Sequence, residues 1–140
     1  YNYEHPALTG VYGWLPGDGV DIETFRRTFH RVLDTWQMDR IWGWDYPMLA
    51  MAAARLGEPE KAVELLCATS HKFGFDEHGL ADMWPFPYFP ANGGLLTAVA
   101  MMCAGWDGLP GGVSGSAGDC PGFPKDGTWV VRHEGFERMM

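Results

Sequence analysis

Two stretches of this chain are apolar on nearly every side, and they restrict the fold more than anything else in it. One is Met48-Leu49-Ala50-Met51-Ala52-Ala53-Ala54. The other carries Leu95, Leu96, Ala98, Val99, Ala100, Met101 and Met102. Both read as helices, and a helix without a polar stripe must be surrounded by other protein. A bilayer is the other apolar surrounding. However, the run from Leu95 to Gly105 is only about half the length a membrane span requires.

The remaining helices are of the ordinary half-exposed kind. From Asp21 to Trp36, the residues Ile22, Phe25, Phe29, Val32, Leu33 and Trp36 recur at three- and four-residue steps, with Glu23, Arg26, Arg27, Arg31 and Asp34 opposite. Asp21 is a candidate N-cap, followed by an acid in the first turn. The first apolar helix spans about Asp45 to Leu56, with Asp45 as a candidate cap, Pro47 in its first turn and Gly57 ending it. Glu58-Pro59-Glu60 opens the next helix at once, running to about Thr69, so this pair forms an αα-hairpin. In it Glu60, Lys61 and Glu64 face water, while Ala62, Val63, Leu65 and Leu66 pack. The second apolar helix spans about Asn92 to Ala104. Trp129 to His133 alone hints at a strand. The expected class is all-α, with about four helices over residues 1–126 and a short extended β tail over 127–140.

Charge and cysteines narrow the partners. The formal net charge is −8, which disfavours nucleic acid and an anionic membrane surface. Three cysteines without a CxxC make neither a disulfide framework nor a zinc site. Cys67 and Cys103 read as small core residues, and Cys120, in a Gly-rich loop, as an exposed one. His71 and His78 do not share a helix face, so no metal and no cofactor is expected.

Aromatics and acids gather just ahead of the helices. Seven tryptophans are present. Trp42-Gly43-Trp44-Asp45 precedes one apolar helix, and Asp82, Trp84 and Tyr88 precede the other. Glu4-His5 and Tyr12-Gly13-Trp14 precede the first amphipathic helix. The connection from Ser70 to Ala91, about 22 residues against a usual four to six, is stiffened by Pro85, Pro87 and Pro90, and reads as a binding loop. Helix N-termini offer free N–H groups, and tryptophan faces stack on the apolar faces of sugars. An acidic, Trp-rich pocket therefore suits a neutral oligosaccharide or glycan. Glycoside hydrolysis needs two carboxylates, about 5–5.5 Å apart for retention and about 6.5–9.5 Å for inversion. Asp45 is the leading candidate, with Glu4 and Asp82 behind it. His5, Trp42, Trp44, Trp84, Tyr88 and Asn92 are the candidate sugar contacts. Each has a structural alternative: a cap for Asp45, a terminus for Glu4, a loop acid for Asp82 and core packing for the tryptophans.

Three segments, in order, resemble a known family. His5-Pro6-Ala7-Leu8-Thr9-Gly10-Val11-Tyr12-Gly13-Trp14-Leu15-Pro16-Gly17 is similar to the His-rich segment ending in Tyr-Gly-x-x-Pro-Gly of glycoside hydrolase family 95, largely α-L-fucosidases and α-L-galactosidases. Gly43-Trp44 stands where that family has Gly-Trp-Ser, and Asn92-Gly93-Gly94 resembles its Ile-Asp-Gly-Asn-Phe-Gly segment. The likeness spans about Glu4 to Gly105. It implies an (α/α)6 toroid, the six-hairpin glycosidase fold, with the site at inner-helix entrances and an inverting, metal-free hydrolysis. Asp45 replaces the family's Ser, and the family's catalytic-base Asp falls on Pro90. The family's general acid lies upstream of the matched region.

The resulting expectation is the C-terminal portion of a six-hairpin glycosidase domain, about a third of a barrel, needing an N-terminal part of the same polypeptide. Tyr1 in place of an initiator Met fits it. The tail from Gly122 to Trp129 resembles a bacterial branch of six-hairpin proteins. The sequence does not settle the compartment, and the periplasm or exterior of a bacterium is the favoured expectation. A catalytically silent α/α module that binds glycans or scaffolds a partner is the alternative. A toroid phosphorylase, epimerase or lyase is another.

Overall fold

The computed structural model describes residues 2–70, 73–84, 86–109 and 119–140. Its four α-helices are α1 (Ile22–Thr35), α2 (Asp45–Arg55), α3 (Pro59–Leu66) and α4 (Phe89–Ala104), with 3-10 turns at Ala7–Val11 and Met38–Arg40. The class is all-α, as the periodicity requires.

Helix α1 begins where its cap dictates. Asp21 is extended, and its side chain accepts the Thr24 N–H at 2.8 Å, satisfying a donor the first turn leaves free. Phe25, Phe29 and Val32 form its buried edge.

Helix α2 is the centre of the molecule: all eleven of its residues are buried. Its small residues make this possible by letting neighbours approach its backbone. A Cβ on Gly13 would stand 3.1 Å from the Ala52 nitrogen and 3.2 Å from the Met48 carbonyl oxygen, and one on Gly94 of α4 would stand 3.2 Å from Pro47. The N-terminal segment and α4 therefore both lie directly on α2.

The α2–α3 turn closes as a Schellman motif. Gly57 takes φ +75°, the Glu58 N–H donates to Ala53 O at 3.0 Å and the Gly57 N–H to Ala54 O at 3.0 Å, so carbonyls at the helix end are paired. Arg26 of α1 donates to Leu56 O at 3.0 Å and to Glu58 Oε1 at 2.7 Å, which pins α1 to the hairpin.

Helix α4 starts earlier than Asn92, at Phe89, because Pro90 is tolerated in a first turn. Ala91, Gly94, Ala98, Met101 and Met102 are buried. Its other side is open, with Phe89 68% and Leu96 72% exposed. This is one difference from the expectation of a helix enclosed on all sides.

The tail is a second difference. No strand occurs among the described residues. Residues 127–140 are irregular, and the pairing there is an isolated parallel bridge of Trp106 with Met139. The chain end is held by hydrogen bonds instead. Asp107 N–H donates to Met139 O at 2.9 Å and Met139 N–H to Gly105 O at 3.1 Å. The buried Arg55 donates to Gly13 O at 3.2 Å and to Met140 O.

The cysteines are a third. Cys67 is exposed, while Cys103 and Cys120 are buried, and all three are free. Helix α3 stops at Leu66, so Cys67 falls on its C-cap and outside the packed stripe.

Candidate functional site

The entrance to α2 gathers the residues that the sequence sets ahead of three different helices. Segment 2–6 is tied to the end of α1. The Asn2 side chain donates to Thr35 O at 2.6 Å, Gln37 N–H donates to Asn2 O at 2.8 Å, and the Trp36 indole donates to Glu4 O at 2.6 Å. These bonds deliver Glu4 and His5 to the first residue of α2.

Asp45 is that residue, and it is fully buried at 0% exposure. His5 Nδ1 stands 3.1 Å from both of its carboxylate oxygens. Its Oδ2 also accepts the Trp42 N–H at 2.7 Å. The cap position belongs to Trp44, with no side-chain bond, so Asp45 does not cap the helix as the sequence suggests. It enters the cluster behind His5 and has no surface of its own with which to meet a substrate.

The aromatic rings form a continuous wall around this pair. Trp14 stacks on Trp44 with centroids 4.8 Å apart and planes at 10°. His5 lies 4.7 Å from Trp44 and 5.8 Å from Trp42, and Trp42 lies 5.8 Å from Tyr88. The Trp42 indole also donates to Glu4 Oε2 at 3.2 Å. Gly43 makes the bend between the two tryptophans possible. A Cβ there would stand 2.6 Å from the Phe73 ring, a separation that close packing does not tolerate. Trp14 belongs to the wall although it is not among the candidate sugar contacts; Tyr12-Gly13-Trp14 shares the aromatic-Gly-Trp pattern of Trp42-Gly43-Trp44.

Three expected members stand elsewhere or do other work. Asp82 is exposed and, with Trp84, borders a groove of about 450 Å³ whose lining includes Thr69, Ser70 and Asp76 but none of Glu4, His5 or Asp45. Trp84 is 87% exposed. Asn92 holds the long loop: its side chain donates to Gly79 O at 2.5 Å and accepts the Ala81 N–H at 3.2 Å. Pro85 and His71, both named from the sequence, lie outside the described residues. A larger groove, about 750 Å³, runs between α1 and α3 past His30, Asp34, Tyr46 and Lys61, and borders none of the aromatic wall.

Burial governs the electrostatics. Desolvation pushes the Asp45 carboxyl above the usual range, against the opposing Trp42 N–H and His5. Burial also raises the Tyr88 hydroxyl, helped by the charge of Asp45. The folded state thus holds the Asp45 proton more tightly than the unfolded chain does. Its contribution to stability is complete below the ordinary carboxylate pKa and is lost as pH rises through the raised one. Asp45→Asn removes this loss. In urea titrations across the acid range, the stability of the wild type relative to Asp45→Asn should fall as pH rises; a flat difference would refute the burial account.

Among the described residues, no group of three or more His, Cys, Asp or Glu is arranged to hold a metal ion. No described helix is long and apolar enough to cross a membrane.

The chemistry open to this arrangement follows from the hydrogen bonds. Once ionised, Asp45 can only accept. It therefore holds the proton on His5 Nδ1 and leaves Nε2 as the basic nitrogen. A basic imidazole, a neighbouring carboxylate at Glu4 and flat indole faces stand together at the end of one buried helix. No protein-family model matches this chain, and it matches no curated protein and no solved structure.

Proposed function

We propose that the α2 entrance is one wall of the sugar-binding site of a glycoside hydrolase, built on an (α/α)6 toroid of which this chain supplies two hairpins' worth of helices. The observation that carries the reading is the His5–Asp45 pair set into the Trp14–Trp44 and Trp42–Tyr88 surfaces. The indole faces receive the apolar faces of a pyranose, and His5 and Glu4 meet its hydroxyls. Asp45 is a positioning residue that sets the His5 ring. Glu4 is the carboxylate of this wall available for acid–base work. The resemblance to family 95, with its site at inner-helix entrances, points the same way.

Hydrolysis needs a second carboxylate across the scissile bond, and Asp45, sealed at 0% exposure, is the only other carboxylate that the described residues place in this cluster. That observation favours, as the second reading, a wall that binds glycans without cleaving them.

The two readings and their failure separate in one set of measurements. Neutral oligosaccharides titrated against the protein should change its tryptophan fluorescence, and Trp44→Ala should weaken that binding about tenfold, or about 1.4 kcal/mol. In the full-length polypeptide, aryl glycosides should release product if the site is hydrolytic, and none if it only binds. If no neutral sugar in a broad panel perturbs the indoles, both readings fail.

A further inference from the structure

We propose that Cys103 and Cys120 are a disulfide-forming pair that locks the 119–123 segment onto the end of α4. Both residues are buried, at 5% and 2% exposure, and both are free thiols. The backbone around them fixes this approach. Gly122 N–H donates to Met102 O at 2.9 Å, and a Cβ on Gly122 would stand 2.5 Å from the Met102 Cα. On the other side of Cys103, a Cβ on Gly105 would stand 3.3 Å from Pro121. The segment just after Cys120 is therefore packed directly on the turn of α4 that carries Cys103, which places the two cysteines in neighbouring segments; a bond between them draws the sulfurs to about 2.05 Å. Lys125 Nζ donates to Cys120 O at 2.9 Å and Phe123 N–H donates to the same oxygen at 3.1 Å, which holds Cys120 in place.

The chemistry is thiol–disulfide exchange with a small disulfide such as oxidised glutathione. One protein thiolate attacks a glutathione sulfur, forming a mixed disulfide and releasing glutathione thiolate. The second protein thiol loses its proton and attacks the protein sulfur, closing Cys103–Cys120 and releasing the other glutathione. The two electrons pass to the reagent, and the two protons end on its thiols. Burial, reinforced by Cys120, pushes the Cys103 thiol up to about 11. Exchange requires a thiolate, so the reaction in the folded protein is slow and is accelerated when the segment opens. In an oxidising compartment the bond forms as the chain folds.

Cys67, exposed and distant in sequence, is removed by Cys67→Ser to leave the pair alone. That variant is incubated with oxidised glutathione, with and without mild urea, then alkylated with maleimide and read by intact mass and peptide mapping. The expected product has lost the mass of two hydrogen atoms, carries neither glutathione nor maleimide, and yields one cross-linked peptide containing Cys103 and Cys120. Its Tm should rise by about 5 °C or more over the reduced form. Adding Cys103→Ser or Cys120→Ser should leave a stable glutathione adduct on the remaining cysteine. Two maleimide-reactive thiols persisting in mild urea, or a mixed disulfide that never resolves in the Cys67→Ser protein, would overturn the proposal.

Discussion

Asp45→Asn should leave the protein folded and shift the proton of the His5 ring from Nδ1 to Nε2. The carboxylate can only accept from Nδ1, at 3.1 Å, whereas a carboxamide in the same place accepts the Trp42 N–H with its oxygen and donates to Nδ1 with its nitrogen. Nε2 then carries the proton and is no longer a base. Nitrogen chemical shifts of a ¹⁵N-histidine-labelled protein report this directly, whatever the substrate. If the α2 entrance binds neutral sugars as proposed, the same change should also weaken that binding, because Nε2 then presents a donor where the wild type presents an acceptor. Asp45→Ala is a harsher change. It removes the acceptor that Asp45 supplies to the half-buried Trp42 N–H and His5 Nδ1 and should cost about 1–3 kcal/mol of stability. A ring tautomer unaltered in Asp45→Asn would remove the positioning role from Asp45.

Phe29→Ala should destabilise the protein by about 3–5 kcal/mol in urea unfolding, a large share of the about 5–15 kcal/mol of an ordinary domain. Phe29 is 0% exposed and lies midway along the buried edge of α1, so truncation opens a cavity in the hydrophobic core it belongs to. Leu96→Ala is the matched control. Leu96 is as apolar, but at 72% exposure it lies on the open side of α4 and should change stability by less than about 0.5 kcal/mol. A large loss at Leu96 would mean that another surface covers that side of α4.

These two changes sit on opposite sides of what was readable beforehand. The buried edge of α1 and its Asp21 cap follow from spacing alone, because a helix repeats every 3.6 residues and its cap is local. The burial of α2 was legible in its alanines for a similar reason: small side chains on every side serve only close neighbours. The role of Asp45 was not legible. Local pattern makes it a cap, but its carboxylate is taken by His5, forty positions earlier in the chain, and by the Trp42 N–H. Asn92 likewise looks like a sugar contact, yet both ends of its amide are engaged by the loop that precedes it.

The cysteines show the same division. Cys67 falls in an apolar pattern but lies past the last turn of α3, where the stripe no longer faces protein. Cys120 falls among glycines, and Gly122 is what lets its segment press against Met102. Whether a loop residue is buried depends on what packs over it, and no periodicity carries that information.

Sequence alone determined the class of this protein, the extents of α1 and α2, and the aromatic and acidic character of the helix entrances. Each of these is set within a few residues along the chain. Tertiary structure decided which entrance becomes a cluster, by tying the end of α1 to segment 2–6 and so bringing Glu4 and His5 to Asp45. It also decided which carboxylate is sealed and which cysteines are buried. Those outcomes depend on contacts between residues as far as 46 positions apart, as in Trp42 with Tyr88, and a local pattern has no means to specify them.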